Sequence, residues 1–179
     1  MRFLKMLLAV AFFAVPAAFS CSQAKASDAD YIALALSAAP PAVVSGAAVV
    51  RTEKDGSVTT LRKGSNGFTC MTLGPSPMCL DANSLAFIDA MMKHAAPPDK
   101  VGIGYMLQGD SGASNTDPYA TAKTADNHWV VTGPHIMIMG PPAKALSYPR
   151  TKDADPTKPY MMWAGTPYEH AMVPVGPLK

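Results

Sequence analysis

GPHIMIMGPP, Gly133 to Pro142, places a histidine and two methionines at alternate positions, with Ile136 and Ile138 between them. Strand side chains alternate between the two faces of a sheet. Read as a strand from His135 to Met139, the run points His135, Met137 and Met139 one way and the two isoleucines the other. Both faces are apolar, the pattern of a strand covered on both sides. The same period recurs outward from it. Val101 to Leu107 sets Val101, Ile103, Tyr105 and Leu107 against Gly102 and Gly104, and two glycines on one face imply close approach by another element. Trp129 to Val131, Tyr160 to Ala164 and His170 to Val175 are short and strand-like.

Nearer the N-terminus, Ser27 is an N-cap candidate with Asp28 and Asp30 in the first turn, and Tyr31 to Ala38 reads as a short helix stopped by Pro40-Pro41. Ala47 to Glu53 and Ser57 to Lys63 read as strands joined at Asp55-Gly56, a tight-turn dipeptide. Phe68 to Leu73 is a third, and the three are expected to form an antiparallel meander. Asp81 caps an expected helix reaching about His94, with Leu85, Ile88 and Met92 at helical spacing. Seventeen prolines and thirteen glycines imply short elements and many turns. The fold class that follows is α+β: a single domain with a mostly antiparallel sheet of short strands and two helices on one side.

The first 26 residues have the form of a secretory signal peptide: Arg2 and Lys5, an apolar run Met6–Val15, Pro16, and Ala24-Lys25-Ala26 as a small-x-small cleavage site. Residues 27–179 are then the exported domain. Cys21, after Ala18-Phe19-Ser20, offers a lipid-attachment alternative. Removing Arg2, Lys5 and Lys25 from 15 basic residues leaves 12 against 13 acidic ones, a net charge of −1. No basic stripe remains to mark a nucleic-acid footprint, and no later segment is long and apolar enough to cross a membrane. Cys70 and Cys79 remain as an even pair for an oxidising compartment. The intervening MTLGPSPM holds Gly74, Pro75 and Pro77 and is able to turn back on itself, so a local disulfide is expected. Closing so short a loop contributes about 2.7 kcal/mol in the chain-entropy picture.

His170 and Met172 repeat the H-x-M spacing of His135 and Met137, and Met161 and Met162 lie in a third strand-like segment. His135, Met137, Met139, His170 and Met172 thus form a candidate soft-metal set, since thioether and imidazole ligands in an exported protein suit Cu(I). Core packing is the plainer reading, because methionine fills irregular interiors and this chain is poor in aromatics. A zinc set of His128, His135 and His170 lacks any H-x-x-x-H or HExxH spacing.

QGDSGASNTDPYA, Gln108 to Ala120, is the most polar stretch and follows the glycine-bearing strand, where ligand loops often sit. Asp110, Ser111, Asn115 and Asp117 are its candidate ligand-binding residues. GDSG, Gly109 to Gly112, has the look of a trypsin-like nucleophile motif, but Ala113 stands where a further glycine is needed and no histidine precedes it in a matching context. Asp110, Asn115 and Asp117 supply oxygens for Ca²⁺ without EF-hand spacing, and Asx-turns that fold the loop on itself are the plainer account of them. Acid–base chemistry needs two titrating groups together, and Asp110 with His135 or Asp117 with His170 are the pairs to test.

KGSNGFTCM, PMCLD, GIGYMLQGDSGASNTDP, GPHIMIM and AGTPYEHAMVPV together resemble an uncharacterised family of small exported bacterial proteins, over most of the mature chain. The resemblance implies export and a single domain, and implies no activity, cofactor or catalytic residue. The expected role is a non-catalytic binding module of the cell envelope for an unspecified envelope ligand or protein, with copper as one ligand. The alternative is a small hydrolase or isomerase acting on an envelope sugar, peptide or ester at the 108–120 loop.

Overall fold

The computed structural model describes residues 27–178. The basic and apolar N-terminal stretch, its cleavage site and Cys21 lie outside them. Helix α1 (Asp28–Leu36) starts at Ser27, whose hydroxyl accepts from the Asp30 amide, and a short helix α2 (Pro41–Val44) follows the proline stop. Four strands come next: β1 (Ala48–Thr52), β2 (Val58–Arg62), β3 (Phe68–Leu73) and β4 (Ser76–Asp81). Helix α3 (Ala82–Met92) is capped by Asp81, whose carboxylate accepts from the Ser84 amide at 2.7 Å. The remainder is β5 (Gly102–Met106), β6 (Ala113–Ser114), β7 (Trp129–Val130), β8 (His135–Met139), a 3-10 turn at Pro141–Ala145, β9 (Tyr160–Met162) and β10 (His170–Pro174).

Eight strands form one sheet in the order β2-β1-β3-β4-β5-β8-β10-β9, while β6 and β7 make a separate two-stranded ribbon. The class is the α+β single domain expected from the sequence. Every neighbouring pair is antiparallel except β1 and β3. That exception corrects the expected meander. The turn after β2 bonds back onto the start of β1: the Ser65 and Asn66 amides donate to the Gly46 carbonyl, and Asn66 Nδ2 donates to Val43 O. The chain is thereby carried past β1 before β3 begins, and β3 runs parallel to it.

The segment between the cysteines holds the end of β3, a tight turn and the first half of β4, which pairs with β3 along its whole length. Its first five residues are all buried, so it shows no polar alternation by which to recognise it. Cys70 and Cys79 face each other in this hairpin and are disulfide-bonded, with Cα atoms 4.0 Å apart. The position of β4 also places the helices. Met78 and Leu80 pack with Phe87 and Met91 of α3, whereas Cys79, pointing the other way, packs with Ala35 and Ala38 at α1. The two longer helices therefore cover opposite faces of the sheet, where the sequence led us to expect one.

The glycines of β5 do admit close approach. A Cβ at Gly102 would lie 2.4 Å from both the amide nitrogen and the hydroxyl of Ser84, in the first turn of α3. One at Gly104 would meet the ends of Leu80, Met137 and Met139 at 2.8 to 2.9 Å. The two contacts differ in kind, because flexible side chains give way and backbone does not. We expect Gly102→Ala to destabilise the domain by about 1–3 kcal/mol, lowering the thermal midpoint by roughly 3–10 °C for a domain of this size. A midpoint within one degree of wild type would show that α3 is free to move off β5.

Candidate functional site

Between α3 and the sheet lies a chamber of about 190 Å³. The strand ladders explain its lining. Residues facing α3 on β8 are His135, Met137 and Met139, and their partners on β5 are Met106, Gly104 and Gly102 in that order. On the other side, Met172 of β10 pairs with Met137, and His170 pairs with Met162 of β9. All of these except the two glycines line the chamber, as do Met78 and Met91. Phe87, Ile88 and Trp163 complete the apolar wall, and the segment Asp110–Ala113 forms the rim. Leu73, which also lines it, is 64% exposed and marks the mouth. Outside the mouth runs an open groove formed by Leu34, Ser37, Pro75, Pro77, Gln108 and Gly109, which shares Ser76, Asp110 and Ser111 with the chamber.

The five candidate soft-metal residues are thus all on one wall of one chamber. They are not all within reach of one point. His135 lies opposite Pro174, four residues along β10 from His170, which is about 13 Å at strand rise. The two imidazoles sit toward opposite ends. Each is held the same way: Nδ1 of His135 donates to Gly133 O at 2.7 Å, and Nδ1 of His170 donates to Tyr168 O at 3.0 Å. A carbonyl only accepts, so Nδ1 carries the proton and Nε2 carries a lone pair in the neutral ring. Burial keeps both rings neutral, lowering the His135 pKa and pushing that of His170 down to about 4. His170 is packed edge-on by Trp163 and Phe87, with ring centroids 4.8 and 6.0 Å away. Nε2 of His135 is buried and accepts no hydrogen bond from any described group.

The rim is equally determined. Asp110 Oδ1 accepts from the Gly112 and Thr132 amides at 2.9 and 3.0 Å. Its desolvation nonetheless raises the carboxyl pKa, with the backbone donors and His135 acting against that rise. The Ser111 amide donates to Ser76 Oγ at 3.1 Å. Asn115 is buried away from the chamber, with Nδ2 donating to the Thr151 and Lys152 carbonyls. Asp117 closes an Asx-turn on the Tyr119 amide. The ligand-loop candidates therefore separate: Asp110 and Ser111 face the chamber, whereas Asn115 and Asp117 fold the loop. Of the acid–base pairs, Asp110 and His135 line the same chamber and interact electrostatically, with no hydrogen bond between them. Asp117 does not line the chamber that His170 lines.

The zinc combination does not form. His128 pairs with Asp153 at 2.8 Å, outside the chamber, and among the described residues no three His, Cys, Asp or Glu side chains cluster for a metal. Met106 was within reach of sequence reasoning, since it continues the Gly102 and Gly104 face of β5. Met78 was not, because its strand was read as a turn, and Phe87, Met91 and Trp163 join the site only through the packing of α3 and the β9–β10 turn. Chemically, the arrangement offers two neutral imidazole acceptors, seven thioethers and one carboxyl, with no lysine or arginine in the lining. No protein-family model, curated protein or solved structure matches this chain.

The buried histidines fix a pH dependence. The unfolded chain protonates at the ordinary 6.5, the folded His170 at about 4. The stability this represents, roughly 3 kcal/mol, is fully present above 6.5 and is lost as pH falls toward 4. His135 acts in the same direction; Asp110, with its raised pKa, acts oppositely above the ordinary carboxylate range. We expect denaturant midpoints to fall between pH 6.5 and 4, with a shallower fall in His170→Gln. An identical profile in that variant contradicts a neutral, buried His170.

Proposed function

We propose that this protein is an exported binding module that takes a small, mainly apolar ligand into the methionine-lined chamber. The observation that supports this is the open volume itself. Seven methionines line it, and methionine is the side chain best able to collapse into a gap. A ligand that fills the space takes its own apolar surface and that of the thioethers out of water. Apolar cavities of about 150 Å³ already take benzene. The Cys70–Cys79 bond suits an oxidising compartment and is the support for placing the protein in the periplasm or outside the cell.

The test uses thermal unfolding with small aromatic compounds of increasing size. A compound at ten times its Kd stabilises by about 1.4 kcal/mol, raising the midpoint by roughly 3–6 °C. Ala113→Phe, which puts a ring into the chamber from the rim, is expected to abolish the shift while leaving the unliganded protein at least as stable. Absence of saturable binding across the series ends the reading. For export, protein recovered from its host is expected to have the mass of a chain starting at Ser27 with both thiols oxidised. Retention of the first 26 residues overturns that assignment.

A second reading, Cu(I) binding, is favoured by the way both histidines are held. A carbonyl fixing Nδ1 and leaving Nε2 free is the usual outer-shell arrangement of metal-bound imidazole, and thioethers suit Cu(I). Competition with a Cu(I) chelator under reducing conditions tests it. Binding no tighter than about micromolar removes it, as does unchanged binding in the double variant His135→Ala, Met137→Leu.

A further inference from the structure

We propose that the chamber's ligand is a neutral molecule with an apolar body of about six to nine non-hydrogen atoms and one hydroxyl or N–H group that donates to Nε2 of His135; this rests on the chamber reading above. Size follows from volume, since about 190 Å³ accepts a benzene-sized ring with a few further atoms. Polarity follows from His135. The ring is fully buried, its Nδ1 is committed to Gly133 O at 2.7 Å, and no described group donates to Nε2. A buried acceptor left unpaired costs about 1–3 kcal/mol, which a donor on the ligand recovers. A carboxylate or other anion finds no cation in the lining and meets Asp110 at the rim; a cation gives up its hydration among thioethers, where burial disfavours the charged form of Asp110 that would pair with it. The donor therefore sits on an uncharged group.

Orientation follows from the ladder. His135 and Asp110 lie at the end where the chamber meets the open groove through Ser76, Asp110 and Ser111. His170, Trp163 and Phe87 close the other end, with the aromatic edges packed on the imidazole. The ligand therefore enters ring first, lays its body against the thioethers and keeps its hydroxyl or N–H by the mouth. Any further polar substituent projects into the groove.

Phenol, toluene and benzoate as probes distinguish this from a merely apolar cavity. Water-to-apolar transfer alone ranks toluene well ahead of phenol, because phenol must give up the hydration of its hydroxyl. A paired hydroxyl restores the balance, so wild-type protein is expected to bind phenol at least as tightly as toluene and to show no benzoate binding. His135→Phe is expected to weaken phenol at least fivefold relative to toluene. Should that variant fail to fold, imidazole nitrogen NMR of the wild-type protein serves instead: phenol, and not toluene, is expected to move the His135 Nε2 resonance upfield and leave that of His170 in place. Toluene bound more tightly than phenol, with the His135 resonance unmoved, overturns this inference and leaves the chamber reading standing. A shift at His170 instead of His135 overturns it too. Failure of both toluene and phenol to bind overturns the chamber reading itself.

Discussion

The ladder between β5 and β8 pairs Gly102 with Met139 and Gly104 with Met137. Each long thioether thus lies beside a residue with no side chain. At Gly104 the vacated space is taken by the Met137 and Met139 methyls and by Leu80. At Gly102 it is taken by the first turn of α3, which is fixed there a second time because Asp81 Oδ2 accepts from the Ile103 amide at 2.9 Å while Oδ1 caps the helix. One carboxylate therefore joins the helix start to the central strand. The helix is clamped against the sheet at its N-terminal end, and the chamber opens farther along it, beneath Phe87, Ile88 and Met91.

The opposite face is organised by different chemistry. There Ala35, Ala38, Val49, Cys70 and Cys79 pack as small, buried groups beneath α1. The disulfide ties β3 to β4, the strand that both helices share, on the side away from the chamber. Small side chains and a covalent bond make a dense layer; methionines and two imidazoles make an open one. The contrast within one sheet leaves the open volume on the α3 side.

Electrostatics reinforce the contrast. The chamber contains three titratable groups, and burial shifts each toward its uncharged form. Arg150, on the segment leading to β9, is turned to Glu169 at 2.8 Å and to backbone carbonyls. Glu169 precedes His170, and strand alternation directs it away from the chamber that His170 faces. The result is a compartment whose three titratable side chains are each shifted toward the uncharged form and whose lining holds no lysine or arginine.

Local pattern settled a good deal. The α+β class, both helix caps, strand His135–Met139 to the residue, the disulfide and the common face of His135, Met137 and Met139 follow from period, capping chemistry and cysteine count, all of which act over a few residues. Tertiary structure decided the rest. Strand β4 lacked a period because both its faces are covered, and with it went the knowledge that α1 and α3 lie on opposite sides. The parallel pairing of β1 and β3 came from backbone bonds to Gly46, which no local pattern encodes. That Asp110 lines the same chamber as His135, while Asn115 and Asp117 turn away to brace the loop, depended on contacts between segments far apart in the chain. A strand's own sequence assigns its side chains to a face; which other elements share that face, and whether they leave room between them, is fixed only when the sheet and its covering helices assemble.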